Sequence, residues 1–327
     1  MTHERREFVV ETAWLHHEHG LTQEEIARRF GVSRSTVSRA LADAERLGIV
    51  QVTVTVPMRR EARLAAALSE RLGVTATVGA RIGDETSMAA AARAAARLVE
   101  RISAAGRITI AASWGRTLAA TAHLVRPRTT VGVTVVDAVG HAGGDQMVPA
   151  VDVTRTLAAA LGAGVVHLPS PAFVDSSESR AALLALPPVE RALEIARAAD
   201  VTLVSVGLVG AESLLVEEQF VATSDMEWVT RAGAVGEILG RWFDAAGRDV
   251  ATVRPAAVGL SLDDLRGARR AIGVAGGAHK AASLRAALAG GIVRELVVDD
   301  ELAERLLVDV IAGAPSAGAA PSGAVHE

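Results

Sequence analysis

Of the 34 basic side chains in the 327-residue sequence, 33 are arginine and one is lysine, Lys280. In a chain that uses arginine almost everywhere, a surviving lysine marks a position that calls for a compact ammonium rather than a planar guanidinium. Lys280 ends the stretch Val274-Ala-Gly-Gly-Ala-His-Lys280, directly after a β-branched run, and Ser113-Trp-Gly-Arg-Thr117 follows another such run. Two glycine turns that open into helix N-termini would aim backbone N–H groups at one point, and with Thr117 and Lys280 they would form a phosphate cradle. The lysine turn lacks Gly-Lys-Ser/Thr, so ATP hydrolysis is not supported. No Gly-x-Gly-x-x-Gly opens the first βα unit with an acid about twenty residues on, which leaves a dinucleotide site weak. No cofactor is expected. Glu237 and Asp244, within Gly233–Asp244, could accept ligand hydroxyls or simply border a solvated turn.

A second set of residues offers different chemistry. In Thr22–Leu41, Ile26, Ala27 and Phe30 give a short helix an inner face, and Gly31 supplies a turn. Ser33 can cap a following helix whose inner face is Val37, Ala40, Leu41 and Ala44. That is the helix-turn-helix arrangement. The outward face of its second helix presents Arg34, Ser35, Thr36, Ser38 and Arg39, with no acid before Asp43. Arginine can fork onto guanine, serine serves base edges or phosphate, and the helix N-terminus at Ser33 favours phosphate. Gln23 is placed for a DNA-backbone contact. Residues 1–56 carry 7 Arg against 8 acids, so the bulk basic footprint of many DNA binders is missing, but the acids sit mainly on the earlier helices. His16, His17 and His19 read as a helix end rather than a metal site, since only His16 and His19 could share a face.

The elements that must position these groups follow from periodicity. Residues 1–57 form the helix-turn-helix domain and end in a strand-like run, Ile49–Val56. Residues 58–73 form a linking helix with Leu64, Leu68 and Leu72 on one stripe. From residue 74 to 312, β-branched runs alternate with Ala/Leu/Arg helical stretches: 108–112, 131–137, 165–168, 201–206, 272–275 and 295–298. The alternation predicts an α/β domain with a doubly wound, Rossmann-like parallel sheet. Ligands of such sheets sit beyond the carboxyl ends of the strands. Residues 313–327 are Gly/Ala/Pro/Ser-rich and read as a disordered tail. Half the residues are hydrophobic, which excludes global disorder, and the net charge of −4 excludes an all-over basic surface. No uncharged apolar run reaches the roughly 18–20 residues of a membrane span. The N-terminus lacks a signal-type apolar region and the chain has no cysteine, so a cytoplasmic protein is expected.

Several stretches together resemble the SorC-type (sorbitol-operon) bacterial transcriptional regulators over residues 10–310. They are Leu21–Ala27, Ser35–Arg39, Ser113–Leu118, Leu168–Val174, Ala199–Val201, Gly233–Gly236, Phe243-Asp244 and Val274–Lys280, in that order. The resemblance implies an effector domain similar to sugar-phosphate isomerases, a phosphorylated sugar as inducer, and a dimer or tetramer on operator DNA. Carried over position by position, it places the phosphate at Ser113, Gly115, Arg116, Thr117 and Lys280. It places sugar hydroxyls at Asp152, Glu237 and Gln219, with Gly144 in the adjoining Gly-Gly pair. Some relatives carry Lys or Arg just before that pair, where it forms an imine with an aldehyde sugar or grips a second phosphate. Ala142 stands there in this chain, so a reversibly bound, singly phosphorylated ligand is expected. The usual Thr-Asp-Glu near the C-terminus appears as Val298-Asp299-Asp300. The rival is an isomerase-like enzyme with an appended DNA-binding module. No His or carboxylate pair has a recognisable catalytic spacing, which favours the regulator.

Overall fold

The computed structural model describes residues 3–51, 59–141, 150–250 and 256–313. They fall into two compact units, one within residues 1–57 and the other within 58–327.

The first unit contains α1 (His3–His17), α2 (Gln23–Phe30) and α3 (Arg34–Arg46). Thr22 and Glu25 close a capping box at the start of α2, and Ser33 accepts the Thr36 N–H at the start of α3. Each interaction satisfies N–H groups that a helix start leaves open, which fixes both boundaries. Val9, Ala13, Leu15, Ile26, Ala27, Val37, Ala40, Leu41 and Ala44 form the core. The inner faces predicted for α2 and α3 are therefore the observed ones, and Phe30 packs partly buried against them with its ring edge-on to Phe8. The strand-like run 49–56 has a different fate over its described part: Ile49 and Val50 turn back, donating to the Ala44 carbonyl, and form no strand through Gln51. Its residues 52–56 lie outside the described residues.

The second unit opens with α4 (Arg59–Leu72), whose Leu68 is fully buried in the core. The linking helix is thus packed into the α/β unit as one of its layers. The chain continues through β1 (Thr75–Gly79), α5 (Ser87–Ser103), β2 (Thr109–Ala112), α6 (Arg116–Leu124), β3 (Thr134–Asp137), α7 (Ala150–Leu161) and β4 (Gly164–Val166). Next come β5 (Phe173–Val174), α8 (Ser177–Leu184), α9 (Pro187–Arg197), β6 (Val201–Ser205), α10 (Leu214–Glu217) and α11 (Thr223–Arg231). An antiparallel trio follows, β7 (Ala234–Ile238), β8 (Arg241–Asp244) and β9 (Asp249–Val250). The last elements are β10 (Ala256–Ala257), α12 (Leu262–Gly267), β11 (Ala271–Ala275), a 3₁₀ turn (Ala278–Lys280), α13 (Ala281–Ala289), β12 (Glu295–Asp299) and α14 (Asp300–Gly313).

Seven strands form one parallel sheet in the order β1-β12-β11-β6-β2-β3-β4. Both faces are covered, and the strand residues show it. Ile110 and Ala112 join one buried cluster and Ala111 the other; Val135 and Val136, Leu203 and Val204, and Val297 and Val298 divide in the same way. This period-two partition, with both halves apolar, is why the strands read as unbroken hydrophobic runs. Helices α5, α6 and α7 supply the cluster on one face, and α4, α9, α13 and α14 that on the other. From β2 the chain moves outward to β3 and β4, then returns to β6 on the other side of β2 and runs the opposite way through β11 and β12. The order therefore reverses between β2 and β6, and a crevice opens at the carboxyl ends of those two strands. Among the described residues, no helix is long and apolar enough to cross a membrane.

Candidate functional site

In the first unit the exposed residues of the α3 face are Ser33, Arg34, Ser35, Ser38 and Arg39, while Thr36 and, on α2, Gln23 are partly buried. Val37 and Ala40 anchor the opposite face of α3, so burial itself fixes which side chains point outward. Ser33 Oγ lies 2.8 Å from both Ser35 Oγ and Thr36 Oγ1, and Arg39 Nε donates to the Ser35 carbonyl at 3.2 Å. Asp43, the first acid on α3, is held by Arg46 and Arg5, which keep its carboxyl below the usual carboxylate range. The N-terminal two turns of α3 thus carry arginines and hydroxyls with no exposed acid among them. His16 Nδ1 lies 2.8 Å from the Leu21 carbonyl, and the His19 ring packs on Trp14, which makes both histidines parts of the helix end.

In the second unit a cavity of about 650 Å³ occupies the crevice at the carboxyl ends of β2 and β6. Ser113 joins the two strand ends: its N–H donates to Leu203 and its Oγ accepts the Ser205 N–H at 3.2 Å. The chain then turns at Gly115, whose φ of +118° is open to glycine, and a Cβ there would stand 3.1 Å from the Ser205 Cβ. Gly115 is the residue before α6, and no side chain caps that helix. Gly115, Arg116 and Thr117, which form this helix start, all border the cavity. An uncapped helix start lined with a cation is a site for an anion.

The opposite wall comes from β11 and β7. Gly276 passes so close to the start of α5 that a Cβ would meet the Ser87 carbonyl oxygen at 2.6 Å. This close approach, and the Gly277 N–H bonded at 2.8 Å to Asp299 Oδ1, fix the turn that delivers Lys280 into the cavity. Among the described residues the Lys280 ammonium has no hydrogen-bond partner. Burial lowers its pKa, the Glu237 carboxylate raises it, and Arg116 lowers it further. Glu237, on β7, is buried; its Oε1 accepts the Gly240 N–H, and its Oε2 lies against Gly207. Burial pushes its carboxyl up to about 7, opposed by the Gly240 N–H and Lys280. The cavity therefore brings Arg116 and Lys280 together with Glu212, Glu217 and Glu237, of which the buried Glu237 carboxyl is balanced between its acid and its anion near neutral pH.

Of the residues singled out in the sequence, Gly115, Arg116, Thr117, Glu237 and Lys280 line this cavity, with Ser113 buried directly behind it. Asp152 and Gln219 do not line it. Asp152 pairs with Arg155 on α7, and Gln219 is exposed with φ of +60° just past α10. Gly144 and Ala142 lie outside the described residues. Asp244 accepts the N–H groups of Ala246 and Arg248, closing the turn from β8 to β9. The wall also contains Trp114, Met88, Glu212, Glu217 and His279, which sequence reasoning did not assign to the ligand. His279 was adjacent to the lysine in its motif, whereas Glu217 sits ten residues beyond the turn at Gly207 with no spacing that marks it.

The Sugar-bind family profile, which describes a sugar-binding domain, matches residues 56–308, and the MarR family profile matches residues 13–61. The deoxyribonucleoside regulator of Bacillus subtilis is 28% identical over 315 residues, covering 95% of this chain and all of its own. The erythritol catabolism regulatory protein EryD of Brucella abortus is 28% identical over 301 residues, covering 90% of this chain and 94% of its own. The crystal structure of the full-length sorbitol operon regulator SorC from Klebsiella pneumoniae superposes with a TM-score of 0.79 at 25% identity, covering 92% of this chain and 98% of that one. With a helix-turn-helix ahead of a sugar-binding domain whose cavity sits at the strand-order reversal, the chain belongs to the SorC-type family of sugar-binding transcriptional regulators.

Proposed function

We propose that this regulator controls a carbohydrate operon and that a phosphorylated sugar in the β2–β6 cavity sets its affinity for operator DNA. The observation that carries the reading is the convergence of the uncapped α6 N-terminus, Arg116 and Lys280 on one cavity. A phosphate dianion there gains helix-dipole, guanidinium and ammonium contacts together. Glu237, and the carbonyls and hydroxyls of the wall, then suit sugar hydroxyls. The names of the relatives, which refer to deoxyribonucleosides, erythritol and sorbitol, support a carbohydrate operon.

On the DNA side, Ser35, Ser38 and Arg39 of α3 would read the major groove, with Gln23, Ser33, Arg34 and Thr36 on phosphates. A cytoplasmic homo-oligomer, dimer or tetramer, would place two such helices about 34 Å apart on a near-palindromic site. The effector acts by binding one arrangement of the assembly more tightly than another, typically by ~1–3 kcal/mol of coupling.

The test is binding of the protein to its own upstream DNA, at fixed salt, with and without a panel of sugar phosphates. Fixed salt matters because phosphate contacts alone move affinity by orders of magnitude. A shift of the binding curve by one compound, without its conversion to product, supports the reading and names the effector. Turnover of the compound, or loss of specific DNA binding, would overturn it in favour of the isomerase-like enzyme.

A further inference from the structure

Segment 207–221 forms one wall of the effector cavity and has open space on both of its sides. Leu214, Leu215 and Glu217 of α10 border the 650 Å³ cavity. Its Val216, with Gly210 and Ala211, borders a second cavity of about 320 Å³ whose far side is formed by Met226 and Thr230 of α11. Interior packing is normally dense, so the two cavities leave the outer edge of α10 room to shift while Leu215 stays anchored in the core. One ion pair ties α10 across the effector cavity: Glu217 Oε2 bonds Arg116 Nη2 at the α6 N-terminus. Arg116 is the cation that a phosphate at this N-terminus would engage. The Glu217 carboxylate thus occupies, on the same guanidinium, the place of the ligand's anion.

We propose that Glu217 is a built-in competitor of the effector's anionic group, and that exchange of partners at Arg116 releases α10. This rests on the reading of the cavity as a phosphate site. In the empty protein the ion pair holds α10 across the cavity. An arriving phosphate takes over Arg116, and Glu217, left without its cation beside a dianion, is repelled with the outer edge of its helix toward the second cavity. The pair is about half exposed on each side, Arg116 at 56% and Glu217 at 47%, so its strength is modest. A weak tether suits a competitor, because a ligand group of higher charge can displace it.

The experiment is calorimetric titration of the full-length protein with inorganic phosphate at constant ionic strength, combined with hydrogen exchange of residues 208–221. Glu217→Gln should bind phosphate about two- to fivefold more tightly than the parent, the range expected when a surface ion pair stops competing. Its α10 amides should exchange faster without phosphate and respond little to it, whereas those of the parent speed up on binding. Glu212→Gln is the control, since Glu212 borders the same cavity but forms no ion pair among the described residues. If Glu212→Gln tightens phosphate as much as Glu217→Gln, or if Glu217→Gln leaves affinity and exchange unchanged, the competitor is refuted while the phosphate site stands. If neither the parent nor Glu217→Gln binds phosphate, the phosphate site and the competitor fall together.

Discussion

Asp299 Oδ1 accepts the Gly277 N–H at 2.8 Å, so the last strand of the parallel sheet grips the turn that presents the chain's single lysine. The other oxygen of the same carboxylate accepts the N–H groups of Glu301 and Leu302 at the start of α14. One fully buried side chain therefore fixes both a helix start and the approach of Lys280 to the cavity. Burial raises its pKa, while the N–H donors of Gly277, Glu301 and Leu302 oppose the rise.

Asp299→Ala should be destabilising by about 2–3 kcal/mol, the cost of leaving buried donors without acceptors. It should also weaken phosphate binding, because the Gly277 turn loses its anchor. Asp299→Asn keeps one acceptor for three donors and should fall between the two. Urea unfolding and phosphate titration of the same preparations check this; full stability in the alanine variant would remove Asp299 from its structural role.

Glu237 makes a prediction about pH. Its carboxyl is raised from 4.5 to about 7 by burial. Between these values the folded protein holds a proton that the unfolded chain has released. The group's contribution therefore makes stability fall as pH rises from about 4.5 to about 7, with no further loss above. A shift of this size corresponds to at most about 3 kcal/mol. Glu237→Gln retains an oxygen for the Gly240 N–H and has no charge to bury. It should gain stability relative to the parent on going from pH 5 to pH 8, as read by urea midpoints. Parallel pH profiles for the two proteins would exclude a raised carboxyl at this position.

Lys280 and Gly115 test the cradle from its two sides. Lys280→Ala should abolish the effector response and leave effector-free DNA binding intact, since the ammonium has no hydrogen-bond partner within the described protein whose loss would unfold it. Lys280→Arg should not restore the response, because a planar fork cannot take the place of a compact ammonium against Glu237 and Arg116. Gly115→Ala forces a side chain into a φ of +118° and against Ser205. A cost of about 1–3 kcal/mol is expected for such backbone strain, with the α6 N-terminus displaced and phosphate binding weakened. Effector titration of the operator complex separates these outcomes. An undiminished response in either Lys280→Ala or Gly115→Ala would move the anion elsewhere.

The parts of the fold that were legible are those whose signal is local. Ser33 as a cap, and the runs that became β2, β3, β4, β6, β11 and β12, could be read because caps and fully apolar strands leave contiguous marks. The trio β7–β9 could not: Ala234–Ile238 is interrupted by Gly236 and bounded by glycines, so it reads as a turn. Its strand character comes from antiparallel pairing with β8, which brings Glu237 opposite Trp242. Asp152 and Gln219 were placed at the ligand through resemblance alone, and neither reaches the cavity of this structure. Glu217 had no sequence signal because its partner, Arg116, is 101 residues away and meets it only through the strand-order reversal.

The helix-turn-helix face yields the last prediction, and it rests on a difference between two arginines. Arg39 Nε is bonded to the Ser35 carbonyl one turn back on its own helix, whereas Arg34 lies exposed in the first turn of α3. On the proposed reading Arg39 would exchange that bond for one to DNA, its place on the outward face, opposite buried Val37 and Ala40, suiting a groove entered by the N-terminal turns of the helix. Arg39→Ala should cost about 1–3 kcal/mol of specific operator binding and relax preference at one base pair, if it reads a base edge. Arg34→Ala should weaken operator and unrelated DNA alike and flatten the salt dependence by one phosphate contact, as expected for a residue beside the helix N-terminus. Neither substitution touches the module's core, so both proteins should keep the thermal stability and effector affinity of the parent. Fluorescence anisotropy with operator and scrambled duplexes over a salt series distinguishes the two roles. A uniform loss from Arg39→Ala, with specificity intact, would transfer base reading to Arg34 and the serines Ser35 and Ser38.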